Sequence, residues 1–172
     1  MNPMPLLDLI AKHESESAAA SQGVSSGYDV VVQQAFKAYP PLRLITTMTV
    51  SEILGWQQEA IAKTKQAHGN GYSAAGRYQV IRKTLQSLSV NGNALFDKET
   101  QDVIGVMLLS RRGWDKWVTG ELSTSAFADN LSKEWASLPY NTDRSYYDKD
   151  VHGNRSLVSR KEVIQVLNKI RN

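Results

Sequence analysis

Glu14 closes the stretch "LLDLIAKHE", and its position gives it chemical potential. Leu6, Leu9, Ile10 and His13 fall at helical spacing, and Glu14 follows Ile10 by four residues on the same side. A carboxyl carried on an apolar helix face is shielded from water, which disfavours its charged form and raises its pKa. An acid still protonated near neutral pH can donate to a bond with a poor leaving group, and a glycosidic bond is the leading candidate. Taken alone, a glutamate at a helix end is more often a solvated surface residue, and Glu16, beyond the stripe, is expected to face water.

Other chemistries find little support. "HESE" lacks the second histidine that a helical zinc signature needs, since position 17 is serine, and His13, His68 and His152 are widely spaced. No metal and no cofactor is expected. With no cysteine there is no thiolate nucleophile, and no G-x-S-x-G elbow occurs. "GNGYSAAG" lacks the Lys and Ser/Thr of a phosphate loop. It reads either as a flexible turn or as backbone lining a groove that a sugar chain approaches closely.

The elements that must position Glu14 are mostly helical. After the first helix, "YDVVVQQAF" is β-branched and reads as a short strand or extended segment, broken by the prolines after Tyr39. Thr49 and Glu52 form a capping-box pair ahead of a helix through "ILGWQQEAIAKTKQ". A helix over 97–112 is expected to turn Val103, Ile104, Met107 and Leu108 inward and to stop at Gly113. Another, over 125–137, carries Phe127, Leu131 and Trp135 and ends before Pro139. The last, over 159–170, has a Ser159–Glu162 capping box and a Val163, Val166, Leu167, Ile170 stripe. Residues 140–158 read as irregular. Arg111 and Arg112 read as charges opposing the helix dipole. The fold class is α+β, mainly helical, as one domain over residues 1–172 with a small extended lobe.

Composition sets the outer bounds. With 41% hydrophobic and 22% charged residues, the 172-residue chain can build a core without staples. A net charge of +3 favours encounter with polyanions but is too weak to indicate nucleic acid as a partner. No segment reaches the length of a membrane span, so stable membrane insertion is not expected. The start "MNPMPLLDLIAKHE" lacks a basic n-region and a cleavage site, so if the substrate lies outside the inner membrane, something else must deliver the protein.

The order of motifs adds a resemblance. "LDLIAKHE", "GYDVVV", "AAGRYQV", the Gln101–Asp102 pair, "RRG" and "WASLP" follow one another over about residues 6–139. In that order they resemble the family of the bacteriophage lambda endolysin, with its relatives among phage and bacterial muramidases. The resemblance implies a lysozyme-like, two-lobed fold with a substrate groove. It also implies cleavage of the β-1,4 bond between N-acetylmuramic acid and N-acetylglucosamine in peptidoglycan, by lytic transglycosylation in lambda-type members. It makes Glu14 the catalytic acid, and Glu14–Ser15 looks like the "ES" pair of the wider lytic transglycosylase superfamily. "GYDV" contributes Tyr28 and Asp29 as substrate-binding residues, and "GRYQ" contributes Arg77, Tyr78 and Gln79. "PYN" faintly resembles that superfamily's "AYN" and adds Tyr140.

Two alternatives remain open. A hydrolytic muramidase would need a second carboxylate, for which Asp29 is the nearest candidate, although an Asx-type anchor to backbone amides is its other reading. A wall-binding module without catalysis would keep the groove and lose the acid. The resemblance further implies a monomer that is made in the host cytoplasm without a signal peptide and acts in the periplasm, with a holin or a virion for delivery. Residues 42–72 and 140–158 depart from the lambda pattern, and a helix is expected in the first of these.

Overall fold

The helical stripes read from the sequence set most of the architecture, and the computed structural model describes residues 1–149 and 155–172. His152, weighed above as a metal ligand, lies outside the described residues. Among those described, helix dominates, and extended backbone occurs as isolated bridges such as Val31–Ala75, Ala75–Val80 and Thr49–Leu95. The chain divides into two compact units, one of residues 1–14 and 105–172, the other of residues 15–104.

In the first unit, α1 (Met4–Glu14) buries Leu6, Leu7, Leu9, Ile10 and Ala11. Each fully buried leucine or isoleucine contributes roughly 1.5–3 kcal/mol. An eleven-residue helix is marginal alone, so packing rather than propensity holds α1 in place.

The second unit contains α2 (Gln33–Ala38), α3 (Val50–His68) and α4 (Arg82–Ser87). Helix α3 carries the expected Thr49–Glu52 capping box and ends at Gly69 in the left-handed region. Its Trp56 Nε1 donates to the Tyr39 carbonyl at 3.2 Å, fastening α3 to the chain just beyond α2. The buried Gln57 amide donates to the carbonyls of Ser73 and Val80, both at 2.8 Å. These bonds draw the segments on both sides of "GRYQ" onto α3.

Helix α5 (Lys98–Arg111) follows, then α6 (Trp114–Val118), α7 (Thr124–Leu131) and α8 (Arg160–Arg171) of the first unit. Trp114, Trp117 and Phe127 form its aromatic core, with Trp117 stacked on Phe127 at 5.3 Å. Helix α8 packs against both α1 and α7.

Three expectations need correction. "YDVVVQQAF" is not a strand along its length: Gly27–Asp29 is a 3-10 turn, Val31 makes a bridge, and Gln33 starts α2. Packing of α2 on α3 overrides the β-branched propensity. Val103 is exposed, because the buried face of α5 runs through Gln101, Ile104, Leu108 and Leu109. Helix α7 ends at Leu131, and residues to Pro139 continue as turns.

Candidate active site

Glu14 is the final residue of α1, one turn beyond the fully buried Ile10. The Ser137 hydroxyl donates to its Oε1 at 2.5 Å. Burial pushes the Glu14 carboxyl above the ordinary range, and hydrogen bonds from the Ser137 side chain and backbone oppose that rise without cancelling it. The residue retains some exposed surface, so the acid is shielded yet reachable.

Ser137 is itself held. It is buried, and its carbonyl accepts from the Leu157 amide at 2.8 Å and the Ser156 hydroxyl at 3.4 Å. Trp135, two residues earlier, is buried. Arg112 Nε donates to Glu134 Oε2 at 2.7 Å, and its Nη2 donates to the Lys133 carbonyl at 3.1 Å. Arg112 therefore clamps the approach to "WASLP" by an ion pair, a more specific task than opposing a helix dipole. Ser137 is not among the site residues expected from the sequence, and its place in the "WASLP" motif is the signal that points to it.

Tyr140 belongs to the same unit, two residues after Leu138. Its amide donates to the Arg144 carbonyl at 2.8 Å, and its ring meets Tyr146 edge-on at 5.2 Å.

In the second unit, Ser15, Tyr28, Arg77 and Tyr78 come together in one polar network. Ser15 is fully buried, and its hydroxyl donates to the Arg77 carbonyl at 2.8 Å. Gly27 of "GYDV" fits directly against it, since a Cβ there would stand 2.2 Å from Ser15 Oγ. The Gly27 amide donates to Glu16 Oε2 at 3.0 Å, so Glu16 is engaged despite its exposure.

Asp102, which the sequence shows only as part of the Gln101–Asp102 pair, is the hub of this network. It accepts from the hydroxyls of Tyr28 at 2.9 Å and Tyr78 at 2.6 Å, and Arg77 Nη1 lies 3.6 Å away. The guanidinium also lies over both rings, 4.9 Å from the Tyr28 centroid and 5.6 Å from Tyr78. Burial first, then the Asp102 carboxylate, pushes the Tyr28 hydroxyl up to about 12 and raises Tyr78 as well. Both phenols therefore stay protonated and serve as fixed donors. Tyr78 is buried, consistent with a packing task.

Gln101, one residue earlier and buried, ties three segments. Its Oε1 accepts from the Arg77 amide at 2.8 Å, and its Nε2 donates to the carbonyls of Tyr28 at 3.0 Å and Phe96 at 2.8 Å. Gly76 is required beside it: its φ is +79°, and a Cβ would stand 2.4 Å from Gln101 Oε1. Gln79 also has positive φ, at +48°, a conformation costly for a residue with a side chain. Its Nε2 donates to the carbonyls of Gly76 at 2.9 Å and Val30 at 3.2 Å, which hold it there.

Asp29 stands apart from this network. Its Oδ1 accepts from the Thr46 amide at 2.9 Å, an anchoring bond of the kind expected of its short carboxylate.

A family model described as Endolysin matches residues 4–160. No curated protein and no solved structure matches the chain.

Proposed function

The chain belongs to the endolysin family, phage enzymes that degrade the cell wall, and on that premise we propose that it acts as a lytic transglycosylase with Glu14 as its catalytic acid. The bond broken is the β-1,4 link between N-acetylmuramic acid and N-acetylglucosamine. The observation that carries this reading is the shielded Glu14 carboxyl, raised by burial and held by Ser137.

One carboxyl then does two jobs. Protonated Glu14 donates to the glycosidic oxygen as the C1–O bond breaks and oxocarbenium character develops on the muramic acid ring. The resulting carboxylate takes the proton of the ring's own C6 hydroxyl, whose oxygen closes onto C1. Glu14 ends protonated again, the product is a 1,6-anhydro sugar, and no water is consumed. Acid catalysis of this kind supplies about 10²–10⁴-fold, and contacts that distort and hold the sugar supply the rest.

Gln79 is the proposed hydrogen-bonding contact to the glycan, and Tyr140 an aromatic one. Ser15, Tyr28, Arg77 and Tyr78 support binding by fixing the "GRYQ" loop. The Thr46 amide bond to Asp29 favours the anchoring task over that of a water-activating base. The reading includes a monomer made in the host cytoplasm that works in the periplasm, brought there by a holin or a virion.

Digestion of purified peptidoglycan in ¹⁸O-labelled water, followed by mass spectrometry, tests the reaction type. Anhydro-muropeptides without label are expected; labelled reducing ends would replace this reading with hydrolysis.

A further inference from the structure

We propose that Tyr146 and Lys133, with Tyr140, form a binding platform for the peptidoglycan strand, in which Tyr146 stacks on a sugar ring and Lys133 meets the carboxylates of the stem peptide. The proposal rests on peptidoglycan as the substrate of the endolysin family and does not need Glu14 to be the acid.

Three tyrosines form a continuous edge-to-face row. Tyr146 meets Tyr140 at 5.2 Å and Tyr147 at 5.0 Å, with interplanar angles of 75° and 82°. Packing alone would bury a central ring, yet Tyr146 is 47% exposed. A rigid aromatic ring presented to solvent, flanked by two others, offers apolar area at little cost in conformational entropy. The flat C–H face of a pyranose is a suitable complement.

The loop is built to present that ring. Pro139 and Ser145 form a bridge, the Tyr140 amide donates to the Arg144 carbonyl, and the Tyr147 hydroxyl donates to the Lys133 carbonyl at 2.8 Å. The loop also leaves the segment that holds Glu14, since Pro139 follows Ser137 by two residues.

Lys133 supplies the charge. Its Nζ lies 5.9 Å from the Tyr146 ring centroid and 3.5 Å from Asn130 Oδ1. An ammonium has three donors, so these contacts leave capacity for an anion. Peptidoglycan is a sugar polymer bearing anionic peptides, and a ring beside a cation matches both parts.

The test measures binding of the full chain carrying Glu14→Gln to purified Gram-negative sacculi and to chitohexaose, which has sugars but no peptides. Adding Tyr146→Ala should weaken binding to both by about tenfold, whereas Tyr146→Phe should stay within about twofold of its parent. Adding Lys133→Ala should weaken binding to sacculi only and flatten its salt dependence. Unchanged binding of the Tyr146→Ala protein, with or without a lower melting temperature, would overturn the proposal and leave the ring a structural one. Failure of the catalytic reading would show separately, as cleavage by the Glu14→Gln parent.

Discussion

Ser137 Oγ lies 2.5 Å from Glu14 Oε1, a contact made across 123 residues of sequence. A hydroxyl suits a carboxyl that changes protonation state, because it donates to the carboxylate and accepts from the acid. It joins the last residue of α1 to the "WASLP" segment and gives that motif a physical task.

The contact predicts a shift in pH dependence. Burial raises the Glu14 pKa, so the donating form persists above the usual glutamate range, and turnover should fall as pH rises through that raised value. Ser137 favours the charged form, so Ser137→Ala should raise the pKa further. The alkaline limb of the pH–rate profile should move to higher pH, while the maximal rate falls about tenfold through lost orientation. Superimposable profiles would remove Ser137 from the account.

A stability change should accompany loss of the acid. With its folded pKa above its unfolded one, ionised Glu14 destabilises the fold. That cost is absent below the unfolded pKa, grows as pH rises through the folded pKa, and is complete above it. Glu14→Gln is neutral throughout, so it should melt at a higher temperature than the parent at neutral and alkaline pH. The difference should vanish in acid, as followed by thermal unfolding across pH.

Two glycines should respond oppositely to alanine. Gly76→Ala combines a left-handed φ with a collision against Gln101 and Phe96, and should cost roughly 1–3 kcal/mol. Gly55 lies within α3 with nothing near its Cβ direction, so Gly55→Ala should stabilise by about 0.5–1 kcal/mol. Urea denaturation midpoints measure both.

What the sequence disclosed was what short-range physics controls. The Thr49–Glu52 box, the Ser159 cap and the α1 stripe depend on residues within a few positions of one another, and each appears where expected. Helices α4 and α6, with six and five residues, are too short for periodicity to register. Val103 was misplaced because Gln101, a polar residue, occupies the buried face of α5. Asp102 and Ser137 stand in motifs visible in the sequence, but their individual tasks are hidden for a related reason. Their importance lies in remote partners, Tyr28, Tyr78 and Glu14, and no local pattern encodes a partner 24 to 123 residues away. The motifs lie within the span that the family model matches, while the hydrogen bonds inside them needed the fold.

The central claim, that Glu14 carries the cleavage, meets its most direct test in the turnover of purified Gram-negative sacculi by Glu14→Gln protein whose circular dichroism matches the parent. The account predicts that release of soluble muropeptides falls by at least about 10²-fold. Release at the parental rate from the folded variant would contradict it.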